Sequence, residues 1–142
     1  MRALLDVNVL IALLDDGHAS HRAAVHWFRA NAAAGWASCP ITQNGCVRIM
    51  SHAKYPRAHA VQEIVRRLRE MTVMPVHQFW SDDVSLCDDH LIDPTRIHGL
   101  RQLTDVYLLA LAVRHRGVLV TFDQAIGLAA VRGATPAHLI VL

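Results

Sequence analysis

Apolar residues recur along the chain with two alternating periods, and the switches between them mark out strands and helices. Residues 2–7 (RALLDV) form an almost continuous apolar run, as expected of a short buried strand. Residues 8–15 (NVLIALLD) read as a short helix that the Asp15-Asp16-Gly17 cluster stops. Ser20 is placed to cap a second helix running to about Ala34. Its Ala24, Trp27, Phe28 and Ala32 fall near helical spacing, and Gly35 ends it. Trp36 to Cys39 is a candidate strand, and Pro40 sits where a helix carrying Ile41 to Ser51 can start.

The second half repeats the alternation. Residues 58–71 form an amphipathic helix, with Ala60, Val61, Ile64, Val65, Leu68 and Met71 as the apolar stripe and Arg66, Arg67 and Arg69 mostly opposite. Val73 to His77 reads as a strand. Ser81-Asp82-Asp83 has the composition of a cap and acidic first turn of a short helix. Asp93-Pro94 and His98-Gly99 read as turns. Residues 101–116 give the strongest helix, apolar on most sides and therefore expected to lie against the sheet, with Gly117 as its stop. Val118 to Phe122 is a strand, Asp123 to Arg132 a predicted helix closed by Gly133, and His138 to Leu142 a final strand.

Strand–helix alternation of this kind predicts an open α/β fold, a parallel sheet covered on both faces. No repeat, linker or low-complexity tract interrupts it, so residues 1–142 are expected to form one domain, a length sufficient to bury a core. A content of 53% hydrophobic residues excludes a disordered chain. The apolar run from Val106 to Val113 is far shorter than the roughly 20 residues of a membrane span, so no membrane segment is expected. Asp6 follows only a few apolar residues, and no secretory signal is readable. Cys39, Cys46 and Cys87 make an odd count without a CxxC pair, which argues against a disulfide framework and a thiolate zinc site. The expectation is a cytoplasmic protein with reduced thiols.

The formal charge of +2 is mildly basic. Thirteen of the 14 cations are Arg, and Lys54 is the only Lys. Guanidinium forks suit phosphates, although genomic base composition produces the same skew. Ten of the 12 acids are Asp. The histidines are scattered without an HExxH motif, so zinc is not expected.

Function in open α/β sheets collects at the carboxyl ends of the strands. Asp6 ends the first strand, Asp123 follows the strand 118–122, and Asp105 lies early in the long helix. Gln43 lies early in the helix after the strand 36–39. Topology thus predicts that four distant positions meet at one edge. Three carboxylates there repel one another, and a hard divalent cation, Mg²⁺ or Mn²⁺, relieves that penalty. Such an ion polarises a phosphoryl oxygen and activates water, which suits phosphodiester hydrolysis.

Each position also has a plainer reading. Asp105 reads as a helix-start acid, Asp123 as a helix cap, and Asp82 and Asp83 as capping acids. Asn8 is either a helix cap or a group orienting Asp6 or a metal-bound water. Thr104 and Thr121 are close enough to the acids in sequence to hydrogen-bond them, or serve as cap and strand residues. Arg48 is either a phosphate ligand or an ordinary surface cation.

The segments LLDVNVLIAL, ITQNGCVRIM and RQLTDVYLLALAVRHRGVLVTFD resemble the PIN-domain nucleases, most closely the VapC-type toxins, over essentially the whole chain. The resemblance implies an α/β/α sandwich with a central parallel sheet and an acidic pocket binding Mg²⁺ or Mn²⁺. It implies the toxin of a type II toxin–antitoxin pair, an endoribonuclease acting on RNA, commonly dimeric and silenced by a VapB-type antitoxin. It maps catalytic and metal-binding acids onto Asp6, Asp105 and Asp123, and places Gln43 where the family usually has a second acid, a Glu. The alternative is a catalytically weakened PIN-like module that binds RNA or protein.

Overall fold

The computed structural model describes residues 1–142. Five short strands, β1 (Ala3–Leu5), β2 (Trp36–Ser38), β3 (His77–Phe79), β4 (Val118–Thr121) and β5 (Leu139–Val141), build one sheet in the order β3-β2-β1-β4-β5. Every pairing is parallel. β1, the first strand made, is central and pairs Ala3 with Val118 of β4.

Strand residues alternate between two cores, as the pleat requires. Leu4, Ala37 and Leu119 point to one face and pack with α5 (Leu103–Arg114). Ala3, Leu5, Trp36, Val118 and Val120 point to the other. That second face is covered by α1 (Val7–Leu14), α2 (His21–Asn31), α3 (Pro40–Met50) and α4 (Val61–Thr72). The molecule is therefore the predicted α/β/α sandwich. α5 is buried from Val106 to Ala112 because it covers its face almost alone.

Two glycines set critical approaches. A Cβ on Gly45 of α3 would meet Val7 Cγ2 at 2.8 Å, so the missing side chain lets α3 close on the start of α1. A Cβ on Gly117 would meet the Arg2 carbonyl oxygen at 2.6 Å, so glycine allows β4 to enter the sheet beside β1. The left-handed residue that terminates α5 is Arg116, at φ 54°, not the glycine after it.

Several boundaries differ from the sequence-based expectation. β1 stops at Leu5 because Asp6 caps α1, which starts at Val7. The helix expected over 58–71 starts at Val61, after Ala60 in extended geometry. It runs through Thr72, which displaces β3 from 73–77 to His77–Phe79. The long helix is a short 3₁₀ turn, Leu100–Gln102, followed by α5.

Two predicted helices are absent. Residues 81–85 run without regular structure, with Trp80 N donating to Ser38 O at 2.9 Å. The stretch 123–132 is a series of turns. Its backbone is claimed elsewhere: Asp123 Oδ1 accepts from Ala125 N at 2.7 Å, Asp93 N donates to Ala130 O and Arg132 N to Leu91 O, both at 2.8 Å. Local side-chain acceptors and this cross-connection outcompete the helical ladder.

Candidate active site

The carboxyl edge of β1 and β4 carries a tightly wired group. Asp6, 6% exposed, follows β1 directly. Its Oδ1 accepts from Val7 N at 2.6 Å and its Oδ2 from Thr121 Oγ1, also at 2.6 Å. Thr121, the fully buried last residue of β4, accepts in turn from Asn8 Nδ2 at 3.1 Å and Asp123 N at 3.0 Å. Asn8 Oδ1 accepts from Phe122 N at 3.2 Å. One hydroxyl thus fixes Asp6, the start of α1 and the turn after β4. Asn8 and Thr121 both hold the acids in place, and Asp6 is also the cap of α1.

Asp105 enters from the first turn of α5. Burial first, then the charges of Asp6 and Asp123, push its carboxyl up to about 6. Asp6 is raised too, chiefly by burial, with bonds from Thr121 and Val7 opposing and the Asp123 charge adding. The three predicted acids therefore share one electrostatic neighbourhood and penalise one another's ionisation.

A cavity of about 640 Å³ opens beside them. Asp6, Asn8, Thr104, Asp105, Asp82 and Arg48 supply its polar wall, and Ile11, Ile41 and Ile49 its apolar side. Asp123 stands outside that wall, one oxygen engaged by Ala125 N. Thr104 and Arg48 face the cavity as candidates for contacting whatever enters it.

The placement of Gln43 is a correction. Its Nε2 donates to Ser38 Oγ at 2.9 Å, and its side chain lines a separate hollow with Val65 and Arg69 of α4. The next residue, Asn44, faces the acids. One helical residue turns the side chain by about 100°, so the first turns of α3 still present a neutral amide to the cavity.

Sequence reasoning assigned Asp82 to a helix cap. No helix forms there, and Asp82 instead lines the cavity with one oxygen, Oδ1, buried without a hydrogen-bond partner. Nothing in the Ser-Asp-Asp string separates this outcome from capping. Only the extended path after β3, set by the Trp80–Ser38 backbone bond, brings the side chain inward.

Comparison with known proteins agrees with this architecture. A PIN domain family model matches residues 3–132, most of the chain. Ribonuclease VapC44 of Mycobacterium tuberculosis is 52% identical over 142 residues, covering 100% of both chains. The chain belongs to the VapC-type PIN-domain family. Ribonuclease VapC38 of the same organism is 46% identical to this PIN domain over 143 residues, covering 99% of each chain. In fold, the PIN domain resembles the crystal structure of Mycobacterium tuberculosis VapC20, a sarcin–ricin loop cleaving toxin, with a TM-score of 0.59. That match has 13% identity and covers 94% of this chain and 99% of the other.

The donor set suits a hard divalent ion. Every polar atom offered by Asp6, Asp82 and Asp105 is oxygen, the carboxyls are raised by crowding, and one Asp82 oxygen has no partner. No three His, Cys, Asp or Glu side chains converge as a ready cage. Carboxylates that do not close around the ion fit Mg²⁺, which keeps several waters when one or two carboxylates hold it.

Proposed function

We propose that this PIN domain is the toxin of a type II toxin–antitoxin pair and a Mg²⁺- or Mn²⁺-dependent endoribonuclease. The observation that carries the reading is the meeting of Asp6 and Asp105 in one cavity, with the Asp123 charge raising both. Four of the relatives that share its sequence are named ribonucleases.

Asp6 and Asp105 would hold the ion, with Asp123 and Asp82 adding negative potential at its rim. A bound ion of this kind polarises a phosphoryl oxygen and lowers the pKa of a coordinated water. The chain's own residues do the positioning. Thr121 spends its proton on Asp6 Oδ2, so the carboxylate is held in one rotamer with its charge partly compensated. Asn8 orients that hydroxyl through its amide nitrogen. Arg48 offers a guanidinium to a phosphate across the cavity from the acids, while the isoleucine side limits water.

A VapB-type antitoxin and a second copy of the chain are the proposed protein partners. The fold also resembles VapBC2 from Rickettsia felis, a complex bound to a DNA fragment from its promoter, with a TM-score of 0.52 and 14% identity. No helix is long and apolar enough to cross a membrane, and the cytoplasm is the proposed location.

The test is incubation of the purified chain with total cellular RNA in Mn²⁺ or Mg²⁺, with cleavage ends mapped beside Asp6→Asn. Specific ends present with the wild type and absent with the variant are expected. No cleavage with either ion overturns the enzymatic reading in favour of a binding module.

A further inference from the structure

Beside the acidic cavity lies a second hollow of about 270 Å³, at the C-terminal end of α3. Arg48 and Ile49 belong to the walls of both, so the two spaces are continuous along α3. The rest of the second wall is His52, Lys54, Tyr55 and Pro56, and no carboxylate lines it. We propose that this hollow is a phosphate-binding subsite, which takes the backbone of the RNA strand next to the bond held at the acids. The inference rests on the ribonuclease reading.

The chemistry of the wall is specific. Arg57, on the same loop, is spent on Asp15 at 2.7 Å and Asp16 at 3.0 Å. Arg48 and Lys54 have no such partner: neither takes part in any of the chain's ion pairs. His52 is oriented by its own loop, since Lys54 N donates to His52 Nδ1 at 3.0 Å. A ring nitrogen that accepts leaves the proton of the neutral imidazole on Nε2, which turns that atom into a donor. Three donors thus converge where an anion would be met: a guanidinium, an ammonium and an imidazole N–H.

The loop that carries them is held in advance. Ser51 Oγ donates to Val47 O at 2.7 Å, Tyr55 N to His52 O at 2.9 Å, and His59 N to Met50 O at 3.0 Å. The Tyr55 hydroxyl donates to buried Asp15 at the end of α1, fixing the ring that forms the apolar part of the wall. A preordered loop loses little entropy when a ligand arrives. The arrangement also answers an electrostatic problem. A cluster of carboxylates repels a polyanion, and a cationic neighbour on the same groove offsets that repulsion.

The test is fluorescence anisotropy with a fluorescein-labelled single-stranded RNA of twelve mixed nucleotides, in EDTA so that nothing is cut, over a range of salt. Lys54→Ala is expected to weaken binding by about three- to fivefold and to flatten the log–log salt dependence by about 0.7, one phosphate contact on a single strand. Lys54→Arg should stay within about twofold of the wild type, because the charge is kept. Arg66→Ala removes one positive charge from α4, where Arg66 pairs with Glu63 and Glu70, and should leave affinity unchanged. Equal losses from Lys54→Ala and Arg66→Ala would reduce the effect to net charge and overturn the subsite. So would unchanged RNA binding by Lys54→Ala, whether or not antitoxin binding falls, and so would a wild type that binds no RNA. RNA binding with the expected variants, but no cleavage when Mn²⁺ is restored, removes the hydrolase reading and leaves the subsite standing.

Discussion

Thr121 Oγ1 donates to Asp6 Oδ2 at 2.6 Å across two neighbouring strands, so the hydroxyl at the end of β4 sets the carboxylate at the end of β1. The same oxygen accepts from Asn8 and from the backbone of Asp123. Removing it leaves two donors without their acceptor and frees the Asp6 rotamer.

Thr121→Val keeps the shape and β preference of the residue and deletes only this hub. It is expected to cost about 1–3 kcal/mol of stability, the usual price of buried polar groups left unpaired. It should weaken Mn²⁺ binding by roughly 10- to 100-fold, as loss of a group that orients a metal-binding residue does. Urea denaturation and isothermal titration with Mn²⁺ measure the two effects. A stable variant with unchanged Mn²⁺ affinity contradicts the assigned role.

Asp105→Asn separates stability from function. The Asp105 carboxyl is raised to about 6, so between its ordinary value and 6 the folded state binds more protons than the unfolded state. Metal-free stability therefore falls as pH rises through that window. The neutral variant should melt about 2–5 °C higher than the wild type at pH 7 without metal. It should gain less from added Mg²⁺ and lose cleavage. A lower metal-free melting point would contradict the repulsion inferred here.

Gln43→Glu and Asn44→Glu test which face of α3 meets the acids. Gln43 is bonded to Ser38, away from the cavity, and a Glu there should leave divalent-ion affinity within about twofold. Asn44→Glu adds a carboxylate to the cavity wall and should tighten Mn²⁺ binding several-fold. The reverse order of effects, read by calorimetry, would return Gln43 to the pocket.

Asp15 governs acid stability. The Tyr55 hydroxyl first, then the Gly17 amide and Arg57, hold its carboxyl at about 2 against the cost of burial. A depressed carboxylate contributes stability above its ordinary value and loses it as pH falls toward its folded value. The wild type should therefore lose on the order of 1–2 kcal/mol between about pH 4 and pH 2 through this group. Asp15→Asn should be less stable at pH 7 and flatter over that interval, as followed by urea midpoints at stepped pH.

The layers of this fold were legible because strand and helix periods are long-range consistent: Leu4 and Leu119 face one core, Ala3, Leu5, Val118 and Val120 the other. Asp6, Asp105 and Asp123 were legible because the carboxyl edge of a parallel sheet collects whatever follows each strand. The errors lie where tertiary bonds overrule local pattern. Residues 123–132 have helical composition, yet their backbone bonds go to residues 91–93. Gln43 and Asn44 differ by one step on a helix whose phase is set by Gly45 packing on Val7, which no local reading fixes. Asp82 depends on the path of a loop with no periodicity to read.

The pairing of β1 with β4 joins the earliest strand synthesised to one made near the end, Ala3 to Val118. Asp6 therefore leaves the ribosome long before the threonine and aspartates that complete its surroundings. A growing chain carries the fragments of the pocket but no pocket, and cannot cut the message being translated or the machine translating it. Assembly waits on the late, non-local closure of the sheet centre, a slow class of folding event. That delay gives a co-produced neutralising partner time to be present when the finished molecule first becomes dangerous.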